Sequence, residues 1–279
     1  MLSYRHGFHA GNAGDVLKHA ALAAALGLLT RKDKPLCYLE SHAGAGRYDL
    51  GGARAQKTGE HRAGIGRLWR RTDAPGALEP YLRAVRAANP DGVLRRYPGS
   101  PAIAAALLRP DDRLVLMELN AADGDTLSAT FQGDRRVAVH RRDGYEGLVA
   151  LVPPRERRGL ALLDPSYEVE SDYADVVRAV AAAHARWPGG CYAIWYPLLD
   201  RPLSRRLERA LVATGLRRIL CGELTIDPRD GPGMKGAGML WVNPPYTLDA
   251  ALRDLLPWLA RTLAEGGAGA HRLEWLVGE

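Results

Sequence analysis

The sequence predicts an α/β fold in which a mostly parallel sheet is covered by helices on both faces. Short apolar runs alternate with segments of helical periodicity along most of the chain, which is typical of parallel strands joined by helices. Two late apolar runs follow each other without a helix between them, which indicates an antiparallel hairpin. A chain of 279 residues, 47% of them hydrophobic, is long enough to bury the core of such a fold.

The individual elements follow from these patterns in chain order. We expect helices at residues 13–30, 121–131, 143–151, 173–187, 201–214 and 248–263. We expect strands at residues 36–40, 113–119, 136–140, 159–164, 191–196, 216–224, 237–243 and 272–277. The glycine-rich stretch 231–238 is expected to be a loop. A parallel sheet with a final antiparallel hairpin indicates the methyltransferase variant of the doubly wound fold.

Residues 51–100 differ from the rest of the chain. They contain helical patterns and a proline-bounded segment, but no convincing core strand. We therefore predict a main domain formed by residues 1–50 and 101–279, with a helical insertion subdomain at 51–100.

The charge balance leaves the class of partner open. Lys and Arg number 38 against 32 Asp and Glu, a formal net charge of +6, and only five of the 38 are lysines. A guanidinium fits phosphate well, which favours a nucleic acid partner, but genomic base composition explains an arginine excess equally well. Arg62, Arg67, Arg70 and Arg71 in the insertion could contact phosphates or form an ordinary solvated helix face.

Other features argue against a metal-dependent or membrane protein. The three cysteines are far apart and form no CxxC pair, so we expect buried reduced thiols rather than a zinc site. Three histidines near the amino terminus, His6, His9 and His19, have no partner at clear ligand spacing. The apolar stretch 16–29 is interrupted by Lys18 and is too short to span a bilayer. We expect a cytoplasmic protein without a metal.

Ligands of such sheets bind at the carboxyl ends of the strands, so the residues there are candidates for the site. The first strand runs into the glycine-rich segment 41–46, which could bring the backbone close to a ligand or form a simple tight turn. Glu118 could accept hydrogen bonds from ribose hydroxyls or be a solvent-facing acid. Asp143, followed by Gly144, could hold the amino group of an adenine or cap a helix.

The fourth strand ends in Asp164-Pro165-Ser166-Tyr167, the most specific feature of the chain. The exocyclic amine of adenine is a poor nucleophile because its lone pair is delocalised into the ring. A carboxylate and a backbone carbonyl can hold that amine, orient its lone pair and accept the charge that develops as it attacks a methyl donor. Pro165 stiffens the loop, and the ring of Tyr167 can stack on the base.

Asn243-Pro244-Pro245-Tyr246 is a rival for this role. Its sequence matches that of an amine-holding loop more closely, residue by residue, than the segment from Asp164 to Tyr167 does. However, it ends the strand of the predicted hairpin, which we expect near the sheet edge and far from the donor pocket. We interpret it as structural.

Several segments together resemble one family. They are MLSYRHGFHAGNAGDVLKH at the start, then HAGAGRY, YPGSP, DPSY, WYP and VNPPY. The chain is similar in these segments, and over essentially its whole length, to the large-subunit ribosomal RNA adenine-N6 methyltransferases known as methyltransferase J. The amino-terminal run is the most specific of them, and we expect it to form an ordered cap over the cofactor.

The resemblance implies a Rossmann-like class I S-adenosylmethionine-dependent methyltransferase fold with a small helical insert. It also implies S-adenosylmethionine as cofactor and a monomer that modifies one adenine of large-subunit (23S) ribosomal RNA. The donor contacts it implies are His19, His42, Ser100, Glu118, Asp143, Gly144 and Asp164. It makes Asp164 the catalytic acceptor in a loop with Pro165 and Tyr167, and it assigns Tyr4, Lys18 and Tyr167 to the substrate side. Ser100, which precedes Pro101, could equally cap a helix.

One position departs from the family pattern. The family loop is usually Asp-Pro-Pro-Tyr, and here Ser166 takes the third place. We predict a looser loop and slower transfer with the function kept. Two alternatives stay open: a DNA adenine methyltransferase, which would share the loop, and a non-catalytic RNA-binding protein that retains the fold.

Overall fold

The computed structural model describes residues 5–199, 202–227, 233–264 and 269–278. Its strands are β1 Cys37–Glu40, β2 Arg47–Asp49, β3 Arg96–Pro98, β4 Arg113–Met117, β5 Val137–His140, β6 Gly159–Leu163, β7 Cys191–Leu199, β8 Ile219–Thr225, β9 Met234–Val242 and β10 Ala270–Val277. Its helices are α1 Ala13–Leu29, α2 Ala53–Thr58, α3 Ile65–Leu68, α4 Glu79–Ala87, α5 Ser100–Leu107, α6 Ala121–Thr130, α7 Gly144–Leu151, α8 Asp172–Arg186, α9 Leu203–Ala213 and α10 Leu248–Leu263.

Eight strands form one sheet in the order β10-β8-β9-β7-β6-β1-β4-β5. The central strand β1 pairs in parallel with β4 on one side and with β6 on the other, and β5 and β7 continue the parallel arrangement. β9 runs antiparallel between β7 and β8, and β10 pairs antiparallel to β8 at the edge. The predicted mostly parallel sheet with an antiparallel hairpin is confirmed. The strand order reverses at β1, which is where such sheets bind ligands.

The central strands are apolar because they are covered on both faces. All five residues of β6 are buried, as are all four of β1. One hydrophobic cluster, on the side of α1, includes Leu22 and Trp241, and the other, on the side of α8, includes Leu39 and Val180. The two clusters hold the sheet rigid beneath its carboxyl edge, so side chains at the strand ends have fixed positions.

Helix α1 is a buried helix, as its alanine-rich sequence allows. Every residue from Ala13 to Leu26 is buried. The side chain of Asn12 caps the helix by accepting a hydrogen bond from the amide of Asp15 at 2.9 Å. The first two turns bring Asp15 and Lys18 into the interior, where charged groups need partners. The partner of Lys18 lies at the end of β6.

The insertion at 51–100 contains α2, α3 and α4, together with a short strand that the sequence did not predict. β3 pairs antiparallel with β2 outside the main sheet and buries Tyr97 completely. Three residues are too few to show an alternating pattern, which is why β3 was missed. The two-stranded ribbon formed by β2 and β3 joins residues before position 51 to residues of the insertion. The boundary of the subdomain stays a prediction.

The prediction of a loop at 231–238 is wrong for residues 234–238, which belong to β9, and residues 231 and 232 lie outside the described residues. The glycines there allow close packing rather than a turn. A Cβ on Gly236 would lie 1.9 Å from the carbonyl oxygen of Leu224, and one on Gly238 would lie 2.2 Å from the ring of Tyr196. In the described part of the chain no helix is both long enough and apolar enough to cross a membrane.

Candidate active site

A pocket of about 900 Å³ opens at the carboxyl ends of the parallel strands and is bounded by the first turns of α1 and α5. The predicted site residues that line it are Lys18, His19, His42, Ser100, Glu118, Asp164, Pro165 and Tyr167. Residues from five separate segments of the sequence thus meet at one cavity, at the edge of the sheet where the fold predicts a ligand.

Asp164 follows β6, and its carboxylate is fixed by a buried lysine. Its Oδ2 accepts a hydrogen bond from Nζ of Lys18 at 2.5 Å, and the same ammonium lies 2.9 Å from Oδ1 of Asp15. The side chains of Lys18 and Asp164 are only 4% and 14% exposed. Lys18 engages Oδ2, and Oδ1 of Asp164 has no hydrogen-bond partner among the residues that the structure describes, so it can meet a ligand in the pocket.

Asp15 completes this buried charge cluster. Its Oδ2 accepts a hydrogen bond from the amide of Gly11 at 2.8 Å and lies 2.9 Å from Nε2 of His6. Burial alone would lower the pKa of Lys18, but the two carboxylates outweigh it and hold that pKa well above its ordinary value. Burial would raise the pKa of Asp15, but His6 and Lys18 hold it well below its ordinary value. Both groups are therefore charged at neutral pH.

Tyr167 has a backbone φ of +54°, which is uncommon for a residue with a side chain. Its hydroxyl donates to the carbonyl oxygen of Trp195 at 2.7 Å, and its ring centroid lies 4.5 Å from that of Tyr173. Asp172 accepts hydrogen bonds from the backbone of Tyr167 and, at 3.0 Å, from the hydroxyl of Tyr145. These contacts hold the ring at the pocket wall, where it can present a face to a flat ligand.

The turn after β1 brings the backbone close to the pocket. Gly44 has a φ of +58°, and a Cβ there would lie 2.5 Å from the hydroxyl oxygen of Tyr48. Glu118 accepts hydrogen bonds from the amides of Gly44 at 2.8 Å and Asn120 at 2.7 Å. A carboxylate has about four acceptor sites, so Glu118 retains acceptor capacity toward the pocket.

Two pocket histidines are uncharged at neutral pH. Burial lowers the pKa of His42 to about 4, and its ring packs edge-on against Tyr145 with centroids 5.0 Å apart. Burial also lowers the pKa of His19 well below its ordinary value. Nδ1 of His19 contacts the hydroxyl of Tyr97 at 2.7 Å, whereas its buried Nε2 has no hydrogen-bond partner among the described residues. A buried polar atom without a partner in a pocket wall is positioned for a ligand.

Ser100 does not cap helix α5, since Gly99 occupies the cap position. Its hydroxyl instead donates to Oε1 of Glu40, while the hydroxyl of Tyr38 donates to Oε2 of Glu40 at 2.8 Å. Burial raises the pKa of Glu40 to about 8. Glu40 is not among the predicted site residues, although an acid at the end of a buried strand is a signal in the sequence that could have indicated it.

Asp143 and Gly144 are absent from the described residues that line the pocket. Asp143 caps α7 by accepting a hydrogen bond from the amide of Glu146 at 2.9 Å. A Cβ on Gly144 would lie 1.9 Å from the carbonyl oxygen of Ser41, so only glycine fits there. These packing roles leave the donor contacts of both residues as predictions. Tyr4 lies outside the described residues.

The rival loop that begins at Asn243 lies at the opposite end of the sheet from the pocket. Val242 pairs with Tyr192 near the start of β7, because β9 runs antiparallel to β7. Nδ2 of Asn243 donates to the carbonyl oxygens of Pro188 at 2.8 Å and Gly190 at 3.1 Å. These contacts support a structural role. The expected reason was wrong, since β9 has neighbours on both sides and strand direction, not an edge position, separates Asn243 from the pocket.

Comparison with known proteins gives the family. The model of the family described as "Ribosomal RNA large subunit methyltransferase D, RlmJ" matches residues 33–277. Ribosomal RNA large subunit methyltransferase J of Escherichia coli strain K12 is 46% identical over 280 residues, and that of Haemophilus influenzae is 45% identical over 281 residues. Both matches cover 100% of this chain and 100% of the relative. The chain belongs to the RlmJ family. The resemblance inferred from the sequence motifs is confirmed.

Solved structures agree with this assignment. The crystal structure of a Legionella pneumophila protein matches with a TM-score of 0.90 and 35% identity, and the match covers 96% of this chain and 98% of that one. A probable spermidine synthase from Corynebacterium glutamicum matches with a TM-score of 0.51 over 93% of this chain and 74% of its own. At 12% identity the second likeness shows the fold alone. The predicted Rossmann-like methyltransferase fold is confirmed.

In this RlmJ-family chain the amino-terminal segment, residues 6–12, is anchored to the insertion. Glu60 contacts Nδ1 of His9 at 2.9 Å and accepts a hydrogen bond from Nδ2 of Asn12 at 2.9 Å. Gly64 lies so close to the carbonyl oxygen of Gly11 that a Cβ on it would be 2.0 Å away. The hydrogen bond with Glu60 raises the pKa of His9. Burial would raise the pKa of Glu60, but the bonds from His9 and Asn12 outweigh it and lower that pKa.

Two of the insertion arginines considered for phosphate contact have other partners. Arg67 donates to the carbonyl oxygens of Leu263 at 2.9 Å and Ala264 at 2.8 Å, and so satisfies the end of α10. Arg71 pairs with Asp73 and lies over the ring of Trp258. These contacts give Arg67 and Arg71 structural roles.

One cluster among the described residues has the spacing of metal ligands: Glu208, Cys221 and Glu223. Arg272 donates to all three, at 2.9 Å to Glu208, 3.6 Å to Cys221 and 3.3 Å to Glu223. Arg205 also pairs with Glu208 at 2.8 Å and with Glu223 at 3.5 Å, so two guanidinium groups balance the two carboxylates in an ion-pair network under the edge strand β10.

Proposed function

We propose that this chain transfers a methyl group from S-adenosylmethionine to the N6 amine of one adenine in large-subunit ribosomal RNA. The observation that carries the proposal is the Asp164 carboxylate, which lines the pocket with one oxygen held by Lys18 and the other open to a ligand. Membership of the RlmJ family supports the RNA substrate.

The residues of the pocket fit the methyl donor. When bound, S-adenosylmethionine supplies a methyl group that is already electrophilic on its sulfonium. The glycine turn at Gly44 allows close approach of the backbone, and Glu118 has acceptor capacity for ribose hydroxyls. The unpartnered Nε2 of His19 can bond a polar group of the donor. Further contacts from His42, Ser100, Asp143 and Gly144 are part of this proposal.

The loop at Asp164 would hold the target amine. The open Oδ1 of Asp164 accepts one N–H of the amine, and the backbone carbonyl of Pro165 accepts the other, so the nitrogen lone pair is directed at the donor. The carboxylate of Asp164, which is paired with the ammonium of Lys18, would stabilise positive charge as it develops on the amine. The same Oδ1 can take the released proton and pass it to water once the product leaves.

The aromatic residues beside the loop would bind the base. Tyr167 is fixed by its hydrogen bond to Trp195, and the two ring centroids lie 6.2 Å apart. An adenine must leave its stack to reach this pocket, and stacking on an aromatic ring offsets part of that cost. Tyr4 is included among the substrate contacts of the proposal, and we propose that the chain acts as a cytoplasmic monomer.

The test is transfer of a labelled methyl group from S-adenosylmethionine to two acceptors, unmodified large-subunit ribosomal RNA and duplex DNA. The proposal expects label in the RNA alone, on N6 of a single adenine. Label in the DNA would instead identify a DNA adenine methyltransferase. Binding of RNA and donor without any transfer would identify a non-catalytic RNA-binding protein.

A further inference from the structure

The charge of the chain is not spread evenly. The insertion at 51–100 contains ten of the 38 Lys and Arg residues but only four of the 32 Asp and Glu residues. Its formal net charge is therefore +6, which equals the formal net charge of the whole chain. The rest of the chain is formally neutral. A cationic surface concentrated in one segment attracts a polyanion to that segment in particular.

The ten basic residues of the insertion fall into two groups. Four arginines bind partners within the protein: Arg67 binds the end of α10, Arg71 pairs with Asp73, Arg86 with Glu79 and Arg95 with Asp91. The other six are exposed and make no ion pair with any residue in the described ranges: Arg54, Lys57, Arg62, Arg70, Arg83 and Arg96. Arg70 follows α3 and Arg83 lies on α4; the remaining four, together with Arg47 on β2, form what we call the cationic face: Arg47, Arg54, Lys57, Arg62 and Arg96.

Backbone pairing places two members of this face beside the pocket. Tyr48 on β2 stands opposite Tyr97 on β3, so these two side chains share one face of the ribbon. Tyr48 lines the pocket and Tyr97 is buried. Arg47 and Arg96 therefore lie on the outer face of the ribbon, just outside the pocket wall, and Asp49 stands directly opposite Arg96 without forming an ion pair with it among the described residues.

Helix α2 places the other members next to the same opening. Arg54 packs against Gly7, and Nζ of Lys57 lies 5.8 Å from the ring centroid of Phe8, in the segment that carries the pocket residue His6. Arg62 donates to Oε1 of Gln56 at 2.7 Å, a bond that leaves its charge uncompensated. The cationic face is thus continuous with the amino-terminal border of the pocket.

We propose that the cationic face binds the sugar-phosphate backbone of the RNA on either side of the target adenine. The inference rests on the proposed function. A base that enters the pocket leaves its flanking phosphates outside, and exposed guanidinium groups can pair with them bidentately. The partners would be backbone phosphates rather than base edges, so the face would supply affinity and orientation without reading sequence.

The experiment uses a triple variant, Arg47→Ala with Arg54→Ala and Arg96→Ala. The matched control, Arg31→Ala with Lys32→Ala and Arg135→Ala, removes the same charge from exposed positions that precede β1 and β5, at the other end of the sheet. The binding of each protein to an unmodified transcript of large-subunit ribosomal RNA is measured across a series of KCl concentrations. Binding of S-adenosylhomocysteine is measured in parallel and should be equal in all three proteins.

Each lost phosphate contact lowers the slope of log affinity against log salt by about 0.7 to 0.9, so the triple variant should lose about 2 units of slope while the control keeps the native slope. An unchanged slope in the triple variant, or the same loss in the control, overturns the inference. In another outcome, the triple variant keeps the native salt slope for RNA but loses binding to vesicles of phosphatidylglycerol and phosphatidylcholine. That result assigns the cationic face to a membrane surface and also overturns the inference. Native protein that binds RNA with the expected salt dependence but transfers no methyl group overturns the proposed function and leaves this inference standing.

Discussion

Nζ of Lys18 lies 2.5 Å from Oδ2 of Asp164, although 146 residues separate the two in the sequence. The contact ties the end of β6 to the buried helix α1. Lys18 also bonds Asp15, which in turn contacts His6, so the orientation of Asp164 depends on the amino-terminal segment. The amino-terminal segment therefore supports the loop that begins at Asp164, as well as bordering the pocket.

Replacing Lys18 with methionine should reduce both stability and turnover. The change leaves Asp15 and Asp164 without their shared buried cation, and removing one partner of a buried pair costs about 3 kcal/mol or more. Asp164 also loses the bond that orients it, so kcat should fall about tenfold or more. Urea denaturation and single-turnover methyl transfer check the two effects. Lys32→Met, at an exposed position, should change neither, and native kcat in Lys18→Met would contradict the role of the pair.

The bond between His9 and Glu60 should make a pH-dependent contribution to stability. The pKa of His9 is raised, so the contribution is full below its ordinary value of 6.5 and is lost as pH rises through the folded pKa. The pKa of Glu60 is lowered, so the contribution is lost again as pH falls below its ordinary value of 4.5. The side chains are 39% and 35% exposed, and solvent screening limits the bond to about 0.5 kcal/mol.

Glu60→Gln should therefore destabilise the protein more at pH 5.5 than at pH 8.5, as measured by urea denaturation at the two pH values. Glu79→Gln is the control, because its partner Arg86 stays charged at both. An equal effect of Glu60→Gln at the two pH values would show that the charge of His9 does not matter to the bond.

Glu40 should make the protein less stable as pH rises. Burial raises its pKa from 4.5 to about 8, so its stabilising protonated form is complete below pH 4.5 and is lost as pH rises toward 8. Glu40→Gln cannot ionise. The free energy of unfolding should fall more steeply between pH 5 and pH 8 in the native protein than in the variant, and parallel curves in urea denaturation would contradict the ionisation of Glu40.

Proline at position 166 should speed methyl transfer. The amide of Ser166 makes no backbone hydrogen bond in the described part of the chain, and its hydroxyl accepts only a long bond of 3.5 Å from the amide of Glu168. A proline restricts the loop by about 0.4 to 1 kcal/mol, which corresponds to about a two- to fivefold change in rate. Single-turnover transfer by Ser166→Pro measures this, and an unchanged rate would mean that the serine does not loosen the loop.

Much of the fold could be predicted because it depends on local patterns. The apolar runs of β1 and β6 and the periodicity of α10 are visible in the sequence, and α10 begins and ends at the predicted residues. Strand β3 was missed because its three residues, Arg96 to Pro98, are too short for a pattern and depend on a partner strand. The glycines of β9 predict a loop because their close packing, of Gly236 against Leu224 and of Gly238 against Tyr196, is a tertiary contact that the sequence does not show.

Some of the pocket residues could also be predicted, because local patterns in the sequence locate the strand ends. Asp164 and Glu118 were predicted from their places at strand ends, where the fold fixes their position. The partners that fix the pocket side chains could not be predicted. Glu60 meets His9 across 51 residues, and Ser100 meets Glu40 across 60, and no local pattern indicates such pairs. Asp143 follows a strand and caps α7, so its position at a strand end does not by itself distinguish a donor contact from a helix cap, and its donor contact stays a prediction.

The role of Asp164 is tested most directly by single-turnover methyl transfer to unmodified large-subunit ribosomal RNA. The native protein is compared with Asp164→Ala and Asn243→Ala, and circular dichroism with thermal unfolding confirms that each variant is folded. The account predicts that Asp164→Ala slows transfer about a hundredfold or more, because the amine loses its acceptor. It predicts a native rate for Asn243→Ala, whose side chain bonds Pro188 and Gly190 at the far end of the sheet. Transfer that survives in Asp164→Ala and is abolished in Asn243→Ala would contradict the account and assign the amine to the other loop.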